Sequence, residues 1–367
     1  MKVPFLELKP SYLELQPEFD AAYRRVMDSG WYLLGQELAG LEKEFGNYVG
    51  ARHCVGVANG LDALHLILRA LDVGPEDEVI VPANTFVASW LAVSYVGAKP
   101  VPVEPNPRTY NLDPSQLEDA ITPRTKVIMP VHLYGQPADL DPILAVAQKH
   151  GLQMVEDAAQ AHGARYRGRR IGAMSRAAAW SFYPGKNFGA FADAGAVTTD
   201  DGELAEKIRC LRNYGSKVKY ENLYRGFNSR LDELQSAFLR VKLRRLDEWN
   251  QRRAKQAAAY LNGLRGVPNL ILPETPGWAE PVWHLFVVRH PHRDRLQQHL
   301  RAAGIDTIIH YPIPPHLQKA YADHGWGPGA FPISEAIHRE VLSLPIGPQL
   351  TGEQVQWVIQ VVREFRA

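Results

Sequence analysis

LQMVEDAAQAHGARYRGRRIGAMSRAAAWSFYPGKNFGAFAD, residues 152–193, contains two short apolar runs, each carrying a polar side chain at or near its end. LQMVED (152–157) closes on Asp157, and AAAWSFY (177–183) carries Ser181. Both are shorter than ordinary helices and apolar on successive residues, the pattern of strands buried on both faces. Beyond Ser181, Lys186 lies in a turn between Gly185 and Asn187, three residues past Tyr183. An acid, a hydroxyl and an amine are thereby expected at the ends of buried strands, where an α/β sheet presents its binding edge.

Outward from this stretch, apolar runs alternate with helical periodicity. HCVGVA (53–58), EVIVP (78–82), KPVPVE (99–104), the start of KVIMPVHLYG (126–135) and GAVTTD (195–200) read as further strands. LDALHLILRAL (61–71), TFVASWLAVSYVG (85–97) and DLDPILAVAQKHG (139–151) read as helices. This alternation predicts an α/β fold with a parallel-type sheet covered by helices. After residue 200 the pattern changes. A helix over 201–215 and one long helix over 231–264 precede a strand at 283–290, a helix at 293–304, a strand at 305–312 and a last helix at 351–365. That is a smaller α+β unit, and the expected division is a large domain over 1–240 and a C-terminal domain over 241–367. Residues 1–50 read as an arm and helices, packed either on a partner subunit or on their own domain.

Composition narrows the class. The chain has 367 residues, 46% hydrophobic and 22% charged, with a net charge of +1. That supplies a large core without polyelectrolyte character. No apolar run reaches the ~18 residues of a membrane helix, and MKVPFLELKPSYLELQPEF does not read as a signal peptide. Cys54 and Cys210 lie far apart in apolar segments, as buried free thiols of a cytoplasmic protein do. Residues 207–255 hold 14 Lys/Arg against 5 Asp/Glu, a solvated helix face or a contact with an anionic ligand. Near-neutral net charge and the lack of a DNA-binding motif argue against nucleic acid. No spacing of His and Cys predicts a metal site.

Several segments place chemistry beside the central stretch. In VANGLDALHLIL (57–68), Asn59 suits a helix N-cap, and Gly60 lets backbone N–H groups approach an anion closely. In PANTFVAS (82–89), Phe86 falls at a strand's C-terminal edge, either as core or as a face for a flat ring. Asp157 either caps the following turn or pairs with a buried cation, and Gln160 and His162 follow within a turn. Lys186 is either a solvated loop lysine or an amine whose pKa must fall for nucleophilic work. Asn228 and Arg230 stand in the turn before the long helix, and His310, Tyr311 and His316 decorate the proline-rich HYPIPPHLQKAY (310–321). Taken together, Asp157, Ser181 and Lys186 are the kinds of side chain a protein needs to hold pyridoxal phosphate: the acid would pair with the ring nitrogen, the hydroxyl would touch the phosphate and the amine would form a Schiff base.

The ordered set GWYLLGQELAGLEKEF, VANGLDAL, VPANTFVAS, VHLYGQPAD, VEDAAQAHGA, SFYPGKNFGAFADAG, NYGS, GFNSRLDELQSA and HYPIPPHLQ resembles, over the whole chain, the DegT/DnrJ/EryC1/StrS family of sugar aminotransferases. The resemblance implies the aspartate aminotransferase fold (fold type I): a mostly parallel seven-stranded sheet, a small C-terminal domain and a homodimer with sites at its interface. It implies Lys186 as the Schiff-base lysine, Asp157 as partner of the pyridine nitrogen, Phe86 on the ring and Gln160 near the ring hydroxyl. Gly60, Leu61 and Ser181 match the phosphate cradle, with Asn228 entering from the other subunit. Many relatives have Ser-Gly-Thr where this chain has Asn59-Gly60-Leu61, so Leu61 offers only its backbone N–H. Lys186 separates the chain from the dehydratase branch, which has histidine there. The implied reaction takes an amino group from L-glutamate, through pyridoxal and pyridoxamine phosphate, to a dTDP-linked 3-keto-6-deoxyhexose. Amination of a 4-keto or UDP-linked sugar is the neighbouring alternative, and a non-enzymatic cofactor-binding sensor or scaffold the alternative of another class. Tyr183, Arg230, His310 and Tyr311 are the expected sugar or diphosphate contacts.

Overall fold

The computed structural model describes residues 1–366. Seven strands make the main sheet: β1 (His53–Val57), β2 (Glu78–Pro82), β3 (Lys99–Val103), β4 (Thr125–Ile128), β5 (Gln153–Asp157), β6 (Ala177–Ser181) and β7 (Gly195–Thr199). Their spatial order is β1-β7-β6-β5-β4-β2-β3. All neighbours run parallel except at β7, which is antiparallel to both β1 and β6.

The strands are apolar on successive residues because each face meets its own core. Cys54, Ile80, Ile128, Met154, Ala178 and Trp180 pack with helices Gln36–Val49 and Leu140–His150. Val55, Val79, Val127, Val155 and Ala179 pack on the other face with helices Gly60–Ala70, Ala88–Tyr95 and Gly202–Leu211. At ~25 cal/mol per Å² of apolar surface, this two-sided burial is the main stabilising term for the sheet. It also makes the strand ends the main positions at which a polar side chain can be placed without entering either core.

The C-terminal part packs β8 (Phe286–Arg289) antiparallel to β9 (Val341–Leu344), under helices Arg293–Ala302 and Gly352–Glu364. Val3 enters this core, with its N–H bonded to Gly304 O at 2.8 Å. Helix Gln16–Ser29 packs through Ala22 and Val26 on Ala237. The N-terminal segment is therefore docked on its own chain.

Two expectations are corrected. The single helix over 231–264 is two, Glu233–Leu243 and Leu246–Gly263, with a turn at Arg244 and Arg245. No Gly or Pro marks the break. Packing sets it, because Leu246 stays in the sheet core while Trp249 reaches Leu15 and Phe19. The strand over 305–312 is absent; Ile305 and Ile308 make one isolated bridge each, to Val3 and Ser343. A cis peptide joins His310 to Tyr311 in this segment.

Candidate active site

The parallel strands and the antiparallel β6–β7 pair bring four polar elements to one edge of the sheet. Asp157 ends β5 and is 5% exposed. Its Oδ2 accepts from Ser89 Oγ at 2.8 Å and its Oδ1 from Ala159 N–H at 3.1 Å. Burial pushes its pKa above the ordinary carboxylate value, opposed by the Ser89 and Ala159 donors and by the nearby Lys186 and His132. Behind it, His132 Nδ1 accepts from Ala138 N–H at 3.0 Å, so Nε2 carries the proton and donates to Glu156 at 2.9 Å. Both side chains of that pair are fully buried. The acid thus sits on a bonded polar network and not in bare apolar packing.

Lys186 is half-buried in the turn after β6, its N–H bonded to Tyr183 O at 2.8 Å. Its amine makes no hydrogen bond among the described residues. Burial lowers its pKa to about 8, with Asp157 pulling the other way. An amine poised near neutrality, unpaired and close to a held carboxylate, suits both attack on a carbonyl and proton transfer.

The anion cradle lies across β6. Asn59 caps helix Gly60–Ala70 by accepting from Asp62 N–H at 2.8 Å. The N–H groups of Gly60 and Leu61 have no protein acceptor among the described residues, as expected for a first helical turn. A Cβ on Gly60 would stand 2.6 Å from Ser181 Cβ and 3.2 Å from its Oγ, so only glycine lets the helix end meet the Ser181 hydroxyl. Two free N–H groups, a hydroxyl and the positive end of a helix are a set that can bind an anion such as phosphate.

Phe86 is 50% exposed, with its ring 5.2 Å from that of Tyr311. Gln160 donates to Tyr311 Oη at 3.1 Å and accepts from Tyr134 N–H at 2.6 Å. His310 bonds Ser343 Oγ through Nδ1 at 2.8 Å. Its pKa falls to about 4 through burial and the nearby Lys186, which leaves it neutral at pH 7. Tyr183 is 57% exposed on the Lys186 turn. The expected residues Asp157, Lys186, Gln160, Phe86, His310 and Tyr311 therefore gather at one edge, with Gly60, Leu61 and Ser181 beside them.

Asn228 and Arg230 do not join this group through any hydrogen bond among the described residues. Asn228 is exposed and bridges Asn213; the Ser229 hydroxyl holds Ala58 N–H at 3.2 Å, and Arg230 bonds Asn213 Oδ1 at 3.1 Å. Three neighbours escaped the sequence reading. Ser89 lies in the same PANTFVAS segment that supplies Phe86, and nothing local marks it as a partner of Asp157. Asn187 follows Lys186 directly, and His284 stands two residues before β8 with no local cue.

Residues 14–363 match the DegT/DnrJ/EryC1/StrS aminotransferase family. The chain belongs to this family. It is 59% identical over 363 residues (99% of each chain) to the erythromycin biosynthesis sensory transduction protein EryC1 of Saccharopolyspora erythraea. It is 59% identical over 364 residues to a dTDP-3-amino-3,4,6-trideoxy-alpha-D-glucose transaminase of Streptomyces venezuelae, covering 99% of this chain and 96% of that one. The crystal structure of S. venezuelae DesV in complex with a ketimine intermediate superimposes with a TM-score of 0.98 at 59% identity, covering 99% of this chain and 98% of that one. The protein is a sugar aminotransferase of this family, an enzyme dependent on pyridoxal phosphate. The free helix-end N–H groups, the gap that only Gly60 leaves, the buried Asp157 and the unpaired Lys186 amine fit that cofactor. Among the described residues no group of His, Cys, Asp or Glu is arranged to hold a metal, and no helix is long and apolar enough to cross a membrane.

Proposed function

We propose that this chain transfers the amino group of L-glutamate to C3 of a dTDP-linked 3-keto-6-deoxyhexose, releasing 2-oxoglutarate. One observation carries the reading: the unpaired, half-buried Lys186 amine beside an Asp157 that Ser89 holds in place. The name of the S. venezuelae transaminase supports the 3-amino dTDP-sugar over the 4-keto and UDP-linked alternatives. The transaminase name of the S. venezuelae relative supports an enzyme over a cofactor-binding sensor or scaffold.

When bound, pyridoxal phosphate supplies a carbonyl for covalent capture and a ring that withdraws electrons. The chain does the rest. With the cofactor bound, Lys186 would hold it through its side-chain nitrogen, and the freed amine would be the base that takes the proton from the donor's α-carbon. It runs the same transfer in reverse for the sugar. Asp157 keeps the ring nitrogen protonated by its charge, and Ser89 and Ala159 keep that charge aimed. Gly60, Leu61 and Ser181 would hold the phosphate, Phe86 would supply a face for the ring, and Gln160 would be the polar partner for its hydroxyl. Tyr183, His310, Tyr311 and Arg230 contact the sugar diphosphate. The active form is a homodimer in which Asn228 of the partner subunit completes the phosphate site; the exposure of Asn228 and its lack of a hydrogen bond to the site residues of its own chain support this. The free buried thiols Cys54 and Cys210 support a cytoplasmic setting.

Mass spectrometry of the protein with glutamate and a panel of dTDP- and UDP-linked keto sugars tests the reading. The expected outcome is 2-oxoglutarate release dependent on a dTDP-3-keto sugar, lost in Lys186→Ala. Sustained multiple turnover by Lys186→Ala would defeat the assignment.

A further inference from the structure

We propose that Asn187 and His284 form a positioning pair that sets the pose of the Lys186 amine from behind. This deepens the reading above and rests on it. Asn187 is the residue after Lys186 and is buried. Its Nδ2 donates to Asn250 Oδ1 at 2.9 Å and to Val282 O at 2.8 Å. With both amide hydrogens committed, Oδ1 is the atom that faces His284 Nδ1, at 3.2 Å. A carbonyl oxygen only accepts, so Nδ1 of His284 carries the proton and Nε2 keeps the lone pair. Burial holds the ring neutral, well below the ordinary histidine pKa. Lys186, Arg253, His310 and His162 act in the same direction. These groups face it from the sheet edge (Lys186, His162), from helix Leu246–Gly263 (Arg253) and from the 305–312 segment (His310).

Both partners are themselves fixed. Asn250 donates to His162 O at 2.8 Å. The His284 backbone is pinned against the Tyr134–Gly135 turn, with Val282 N–H on Gly135 O at 2.9 Å and Leu285 N–H on Tyr134 O at 3.2 Å. Gly135 has φ +91°, and a Cβ there would come 2.8 Å from His284 N and 3.1 Å from Gln160 O. The turn that supports His284 is thus the one that touches Gln160. The Lys186 amine itself is unpaired, so its direction depends on how firmly its turn is held. A misplacement of about 1 Å at a reacting group costs on the order of 100-fold in rate. The C-terminal half of the chain, through Asn250, Val282 and His284, therefore takes part in aiming an amine carried by the large sheet.

The test uses the cofactor-loaded protein and the variants His284→Leu, His284→Asn and Asn187→Ala. Leucine removes the ring donor, whereas the asparagine amide offers a donor near the Nδ1 position. Two quantities are read: the pH midpoint of the bound cofactor's visible absorption, and kcat against KM. In His284→Leu and Asn187→Ala the midpoint is expected to rise by about one pH unit, because a loosened turn lets water reach the Lys186 nitrogen joined to the cofactor and favours its charged form. In the same variants kcat is expected to fall about 10-fold with KM for glutamate nearly unchanged. His284→Asn should return both quantities most of the way to wild type. Wild-type midpoint and kcat in His284→Leu and Asn187→Ala would overturn the pair, as would a His284→Asn protein indistinguishable from His284→Leu. A wild-type protein with no such absorption or no transamination would instead defeat the assignment of Lys186.

Discussion

Lys186 has an amine that burial brings to a pKa of about 8, so its reactive, unprotonated form grows as pH rises through that value. A free lysine reaches the same state only near pH 10. Modification of Lys186 by an amine-directed reagent in cofactor-free protein, followed by peptide mass spectrometry, should show a midpoint near pH 8; a midpoint near 10 would mean the amine is solvated. Ser89 is the second residue to probe. Its hydroxyl gives Asp157 one of its two hydrogen bonds, and Ser89→Ala should let the carboxyl rise further from its ordinary value. Loss of one charge-assisted bond of ~1.5 kcal/mol predicts about a tenfold lower kcat with little change in cofactor loading. A wild-type kcat in Ser89→Ala would show that Ala159 N–H suffices. Asp157 and Lys186 were readable in the sequence because each ends a distinctive apolar run or turn. Ser89 was not, because a serine in an apolar helix looks the same whether or not a carboxylate lies across the sheet.

At the level of elements, the junction between β1 and helix Gly60–Ala70 decides whether a phosphate can be held. Gly60→Val places carbon 2.6 Å from Ser181 Cβ and 3.0 Å from its Cα, with no flexible side-chain end to give way. The expected result is a folded protein whose cofactor dissociation constant rises at least tenfold, read by fluorescence titration; unchanged affinity would place the phosphate elsewhere. A second junction is structural. Glu233, at the start of one helix, caps another: its carboxylate accepts from Gly35, Glu37 and Leu38 N–H groups at 2.8, 2.8 and 3.1 Å at the start of helix Gln36–Val49. Glu233→Ala should cost about 1–2 kcal/mol in a denaturant melt, by analogy with lost N-caps. A loss within about 0.5 kcal/mol of zero would mean water replaces the cap at no cost. The strands were legible because their apolar runs report burial on both faces. The break at Arg244 was not, because neither Gly nor Pro signals it and the packing of Trp249 on Leu15 and Phe19 sets it.

For the whole molecule, the question is whether one chain suffices. The proposed dimer predicts complementation. Lys186→Ala and Asn228→Asp proteins, each weak alone, should recover up to roughly half of wild-type activity when mixed subunits assemble, since one site per dimer regains both groups. Mixed dimers detected by native mass spectrometry without recovery would place Asn228 outside the shared site. The amino-acid sequence by itself determined the seven strands of the main sheet, the order of the motifs and the candidates Asp157, Ser181 and Lys186, because burial and turn chemistry leave local periodic marks. Only the tertiary structure decided which groups hold those residues in place. Ser89 lies 68 residues from Asp157, and His284 lies 97 from Asn187. No local pattern encodes a partner at such a distance; the order of strands across the sheet and the docking of the C-terminal segment bring them into contact.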